Sequence, residues 1–332
     1  MTTEKPLDVA ADSALTAEVI PHLETERAEA ARAFYLAFGV FVMTAGAVAL
    51  AVITYPYDLV PAGIAGALGI AAFIYCLWAA FSRQNDFAGV FSRWQDEQVM
   101  RSLDPDCDFD AARYLESAEY ELSGLFPDEY NGFSGANYVH RKVGETEMAA
   151  SNLNVTYTWE TTRTESYTDS NGNTQTRTVT ESHTDTRFSG LLLRFDAAKD
   201  FTGRVFIDPR RQSSRREGTT EVLLPSSEFM GRFSVSATDE FAAHYLLSPA
   251  TLERILALQA RFNDPIHLSY VESCLYLGLP GVELGFGDAP GLFRRVREES
   301  VLRVVSQCRA SLLFLDGLVE QLDLNTRIWT KQ

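Results

Sequence analysis

Between Ala33 and Tyr55 the chain carries no charged side chain, and between Leu59 and Phe81 it again carries none. Each run exceeds the roughly 20 residues that an α-helix needs to cross bilayer hydrocarbon. Only Pro56, Tyr57 and Asp58 separate them. So short a connection forces antiparallel helices whose adjoining ends share one interface, with Asp58 in headgroup water and Tyr55 and Tyr57 in the interfacial aromatic belt. Two uncharged runs of this length are rare in water-soluble cores. The expected architecture therefore starts with a transmembrane helical hairpin over residues 33–82.

Arg27 and Arg32 precede the first run, Arg83 and Arg93 follow the second, and the connection has no Lys or Arg. The positive-inside rule then expects both termini in the cytoplasm. Gly63, Gly66 and Gly69, with Ala62 and Ala65, give the second helix a small-residue face for close approach of the first helix or of a second copy in a homo-oligomer. A signal peptide is not expected, because the apolar run starts past residue 30 and another follows at once. Residues 1–32 form an N-terminal arm, acidic and rich in small residues, expected to be largely disordered as far as a short juxtamembrane helix.

The formal net charge of −16 argues against a general nucleic-acid binder, which needs clustered Lys and Arg to displace counterions. Cys76, Cys107, Cys274 and Cys308 show no paired spacing and no C-x-x-C, which reads as reduced structural cysteine and fits a cytosolic face.

Residues 83–332 are expected to form one cytosolic α+β domain, a mixed and mainly antiparallel sheet packed with helices. Phe87, Val90, Phe91 and Trp94 recur at helical spacing, so the second span should continue as an amphipathic helix. Asp104, Asp106, Asp108 and Asp110 alternate as at the start of a calcium loop, but Phe109 and Leu115 stand where such a loop needs Gly and Glu. Helix capping by Asp108 or Asp110, ahead of a helix through Tyr114, is the expected role. Residues 154–168 and 174–186 alternate as strands around Asn171-Gly172, the strongest local hairpin signal. Further strands are expected at 190–195, 203–207 and 233–235, with a hairpin over 266–271 and 274–279. Ser248-Pro249 is a helix start with Ser as N-cap. Val301, Val304, Val305, Cys308, Leu312, Leu315, Val319 and Leu322 form a stripe that marks a core-packing helix from about Glu298 to Leu322.

Several short segments resemble a known family. They are Ser123-Gly124-Leu125-Phe126, Phe188-Ser189-Gly190-Leu191, Phe201-Thr202-Gly203, Asp239 through Tyr245-Leu246-Leu247-Ser248-Pro249, and Leu322 through Trp329. On these residues the chain resembles the bacterial membrane-protein family called domain of unknown function 3137. His244 departs from the Arg usual before the Tyr, and the Thr-rich hairpin looks extended. The resemblance implies a two-span anchor in the bacterial inner membrane and a cytosolic domain of unestablished function, with no catalytic residues to carry over.

The common catalytic signatures are missing. Gly132-Phe133-Ser134-Gly135-Ala136 only approaches a nucleophile elbow and reads as a turn. Gly285, Gly287 and Gly291 miss the dinucleotide spacing, and there is no Walker A motif. The histidines have no H-x-x-x-H pair, so neither a metal nor another cofactor is expected. His244 is singled out beside Asp239, weighed between a functional group and a packing residue. Arg210, Arg211, Arg215 and Arg216 are the densest positive run, either a solvated loop or a contact with anionic lipid. The leading expectation is a membrane-tethered binding or scaffold domain whose partners are the bilayer and a membrane or cytosolic protein. An enzyme with a dispersed site and a membrane-linked ligand sensor are the alternatives.

Overall fold

The computed structural model describes residues 9–54, 59–168, 174–196, 201–287, 289–291 and 293–324. The Asn171-Gly172 turn, the connection with Tyr55, Tyr57 and Asp58, and the ending beyond Leu324 lie outside the described residues. The chain forms two compact units, one of residues 1–105 with 286–310 and one of residues 106–285 with 311–332.

The first unit is helical. Helix α1 runs Val9–Thr54 and α2 runs Leu59–Trp94, followed by a π-helical turn, Gln95–Met100, and a last turn, α3 (Arg101–Leu103). Helix thus begins at Val9, well inside the arm expected to be largely disordered. The two long helices pack together, with Phe41 and Phe73 ring centroids 5.4 Å apart. Both have stretches long and apolar enough to cross a membrane, Ile20–Ala47 and a window inside Ala67–Leu103. Leu36, Met43 and Ile53 on α1 and Ile64, Leu68, Ile70 and Phe81 on α2 are exposed. The amphipathic extension of α2 buries Phe87, Phe91 and Trp94 as their spacing predicts. At the π-turn the buried Gln95 amide donates to the Phe286 carbonyl and, at 3.5 Å, to the Cys308 sulfur. Burial pushes the Cys308 thiol up to about 11, so it stays protonated and donates to the same carbonyl. Phe293 packs edge-on against Phe34 at 4.9 Å.

The second unit is built on a nine-stranded sheet in the order β1-β2-β3-β4-β9-β8-β5-β7-β6. The strands are β1 (Asp108–Asp110), β2 (Gly132–Val143), β3 (Thr146–Thr168), β4 (Thr174–Asp196), β5 (Val205–Pro209), β6 (Thr220–Glu221), β7 (Phe233–Ala237), β8 (His267–Val271) and β9 (Cys274–Pro280). Every neighbouring pair is antiparallel. Helices α4 (Ser117–Ser123), α5 (Ser227–Arg232), α6 (Glu240–Leu246), α7 (Pro249–Gln259) and α8 (Glu298–Leu322) complete the described elements. The mixed α+β class is as expected.

Several local expectations change. The two strands expected at 174–186 and 190–195 are one strand, β4, 23 residues long. The register passes from Val155↔Phe188 to Thr156↔Thr186, leaving Arg187 as the extra residue of a β-bulge. Gly132 to Ala136 is the start of β2 and not a turn. Gly135 is needed there because a Cβ would meet the Asn152 carbonyl at 2.6 Å. No helix runs through Tyr114: Asp110 accepts the Ala112 and Arg113 backbone N–H in a tight turn after β1.

The expected caps and stripe are present. Ser248 Oγ accepts the Thr251 N–H with Pro249 at the helix start. In the second unit Leu312, Leu315, Val319 and Leu322 of α8 are buried, and in the first Val301, Val304, Val305 and Cys308 are. Leu315 is fully enclosed. Leu315→Asp would bury an unpaired carboxylate and is expected to cost the full chain about 3–5 kcal/mol. Thermal denaturation in mild detergent checks this; an unchanged midpoint contradicts the packing.

Candidate functional site

At the floor of a cleft in the second unit, three buried polar side chains meet. Asp208 projects from β5, a strand buried along its whole length. Arg216, from the loop after β5, turns inward and takes its carboxylate in a two-pronged contact, Nη1–Oδ2 at 2.6 Å and Nη2–Oδ1 at 3.1 Å. Its other donors are spent on the chain that leaves α4: Nε donates to the Gly124 carbonyl at 2.6 Å and Nη2 to that of Leu125 at 2.9 Å. The guanidinium lies over the Phe206 ring at 4.2 Å. His267 on β8 completes the group, Nδ1 standing 3.5 Å from Asp208 Oδ1 with the Phe126 ring 4.8 Å from its own.

Burial alone would raise the Asp208 carboxyl, but hydrogen bonds from His267 and Arg216, with their charges, outweigh it and hold it below the ordinary carboxylate range. Ser269 Oγ donates to the Ser123 carbonyl at 2.6 Å, so α4 is tied to β8 as well. Gly124 ends α4 at φ +58°, and a Cβ there would meet Phe206 at 2.8 Å. The glycine is required by both backbone and space.

Above this floor is a cleft of about 890 Å³. One side is the segment after α4, with Phe126, Pro127, Asp128, Glu129 and Tyr130. The other is the start of β5, the end of β7 and the loop around Arg216, with Arg204, Phe206, Arg215, Glu217, Thr219 and Thr238. Tyr157 from β3 lines it too. Tyr130 donates its hydroxyl to Glu121 at 2.5 Å. Tyr120, also lining the cleft, is only 2% exposed, and its hydroxyl oxygen is buried with no hydrogen-bond partner. Burial drives its phenol well above the ordinary tyrosine range, so it remains a neutral donor. Tyr157 continues as a stack along the β3–β4 ribbon through Trp159, 5.9 Å away, to His183, a further 5.5 Å. A smaller hollow of about 330 Å³ adjoins, sharing Arg204 and Thr238 with the cleft and adding Phe201, Gly203 and Glu272.

The arginine run does not act as one patch. Arg210, Arg211 and Arg215 are exposed, whereas Arg216 is buried and spent on Asp208. Arg216 is thus withdrawn from the expected lipid contact, because its donors are filled by protein. Arg210 is also engaged, donating to the Met230 carbonyl at 2.7 Å. Asp239 caps α6, accepting the Phe241 N–H at 3.1 Å. His244 is exposed on α6, 3.7 Å from Glu240 one turn earlier, and is neither a packing residue nor part of the cleft. Sequence reasoning missed Asp208 and His267, whose only local signal is that polar side chains stand in two mainly apolar strands. No group of three or more His, Cys, Asp or Glu among the described residues could hold a metal.

Residues 186–324 match the family model described as Protein of unknown function (DUF3137). This segment belongs to that family. The DUF3137 segment contains Asp208, Arg216 and His267, while Tyr120 and Gly124 to Tyr130 lie before it. No curated protein matches the chain. The solved structure of the mycobacterial trehalose monomycolate transport factor A, TtfA, is similar at 8% identity and a TM-score of 0.30, covering 68% of this chain and 94% of its own.

Removing one member of a buried pair strands the other's charge, so Arg216→Ala is expected to destabilise the chain by about 3–5 kcal/mol in chemical denaturation. The Asp208 carboxyl, lowered in the fold, contributes stability in full above the unfolded value near 3.9 and loses it as pH falls through the folded value. Asp208→Asn should therefore flatten the loss of stability below about pH 4 compared with wild type. An identical acid slope in both proteins contradicts the assignment.

Proposed function

We propose that this protein is a membrane-tethered binding module, with the α1–α2 hairpin in the bilayer, both termini cytoplasmic, and the cleft under Tyr157 as its recognition site. The observation that carries the binding role is the set of unused polar groups around one cleft: the Tyr120 hydroxyl and the guanidinium groups of Arg204 and Arg215, none of which has a hydrogen-bond or ion-pair partner among the described residues. A concave site with aromatic walls and a few convergent polar groups is the usual form of a ligand site. The Asp208, Arg216 and His267 group directs its bonds at protein and is covered by Phe126, which supports a structural role for it.

Tethering is supported by the exposed apolar side chains of α1 and α2, a surface that water disfavours at about 25 cal/mol per Å². The Arg residues flanking an uncharged hairpin support the orientation. Of the arginine run, Arg211 remains a candidate for headgroup contact and would add roughly 1 kcal/mol, enough to help orient a tethered domain and too little to anchor one.

Two measurements test the reading. A single Cys replacing Asp58 in a cysteine-free chain should react with an impermeant thiol reagent in spheroplasts, while one replacing Leu313 should be protected; the reverse pattern overturns the orientation. Native mass spectrometry of the full chain from mild detergent should show a retained ligand that Tyr157→Glu releases. Retention unchanged by that substitution places recognition elsewhere.

A further inference from the structure

The cleft's two sides differ in charge, and the difference is not neutralised across it. On the α4 side Asp128 and Glu129 are exposed carboxylates with no ion pair among the described residues. On the facing side Arg204 and Arg215 are exposed guanidinium groups, likewise unpaired, against the single carboxylate of Glu217. Arg216 contributes no free charge there, since Asp208 neutralises it. Aromatic residues line both sides, Phe126 and Tyr130 on the first and Phe206 on the second, with Tyr157 lining the cleft from β3. Deeper, the Tyr120 hydroxyl is a buried donor with nothing to donate to. A buried hydroxyl left unpaired is unfavourable, so a ligand that supplies an acceptor gains by relieving it.

We propose that the cleft binds a short zwitterionic peptide, with its ammonium end toward Asp128 and Glu129, its carboxylate end toward Arg204 and Arg215, an apolar side chain on the aromatic residues and a backbone carbonyl accepting from Tyr120. This rests on the cleft being the recognition site. An aromatic lining flanked by opposite charges favours a peptide with a large apolar side chain over a zwitterionic lipid headgroup, whose ammonium and phosphate are joined by only two methylenes. About 890 Å³ lies within the 300–1,000 Å³ usual for small-ligand sites, which limits the peptide to a few residues.

The probe is Gly-Phe-Gly, titrated by calorimetry into the full chain in mild detergent, beside its N-acetylated, its C-amidated and its doubly blocked forms. The free peptide is expected to bind saturably, and blocking either end should weaken it about tenfold, the size of one charge-assisted hydrogen bond. In Arg204→Ser/Arg215→Ser the free acid and the amide should bind alike; in Asp128→Ser/Glu129→Ser the free and acetylated amines should. Tyr120→Phe should weaken binding several-fold while leaving the melting temperature unchanged or higher, since it removes an unpaired buried hydroxyl. A hydroxyl with a purely structural role would lower that temperature instead. If Gly-Phe-Gly does not bind, or binds equally in all four forms, the peptide assignment is overturned, and the retained-ligand measurement still decides the cleft. If charge-dependent binding persists in both double variants, the cleft is not the site and both readings fail. Micelles of zwitterionic lipid that displace the peptide, with loss in the same variants, would replace the peptide by a headgroup.

Discussion

Arg216 gives up nearly all its hydration to reach Asp208, a cost that only a full set of partners offsets. Those partners come from two places in the chain: β5, which supplies the Asp208 carboxylate and the Phe206 ring, and the end of α4, which supplies the carbonyls of Gly124 and Leu125. One side chain therefore holds the loop after β5 against the segment after α4. Both segments line the cleft. With the floor saturated by its own hydrogen bonds, the charges higher up are left over for something else.

The segment after α4 has its own reasons to stay in place. Phe126 stacks on Phe188 with centroids 4.5 Å apart, and Phe188 sits beside the Arg187 bulge. Asn131 covers the β3 edge just above, its amide exchanging hydrogen bonds with the backbone of Thr158 at 2.8 Å and 2.6 Å. A side-chain amide there substitutes for the next strand, since β2 pairs with β3 only as far as Thr156. Tyr130 is thereby fixed on one wall and Tyr157 on another without either spanning the cleft.

How far the sequence revealed this depends on the range of each interaction. The α8 stripe, the Ser248 cap and the β8–β9 hairpin are set by neighbours within a turn or a short loop, so periodicity and capping chemistry expose them. Gly132 and Gly135 misled because glycine marks turns and close strand contacts alike, and only the positions of Thr156 and Asn152 tell them apart. Four clustered arginines look equivalent in sequence. Which of them turns inward depends on Asp208 and on carbonyls some ninety positions away, and no local pattern encodes that. The same holds for Tyr120, whose unused hydroxyl is visible only once everything around it is placed.

The segments that carry the family resemblance acquire a physical reading from this geometry. Gly124 needs its left-handed conformation and its bare Cα to let Phe206 lie under Arg216. Gly190 meets the Leu279 carbonyl so closely that a Cβ would stand 2.3 Å from it, at the first register position where β9 joins β4. Gly203, at φ +94°, brings the start of β5 against Thr238, whose hydroxyl accepts the Arg204 N–H at 2.8 Å. Asp239 and Ser248 start the two helices that follow β7. These are demands of backbone conformation, close approach or helix capping; Gly124 lines the cleft and Gly203 the smaller hollow beside it. The groups available for recognition, Arg204, Arg215, Asp128, Glu129 and Tyr130, lie outside those segments. A scaffold of that kind can keep its floor unchanged while the charges above it are exchanged, because none of the exposed four supports the pair beneath.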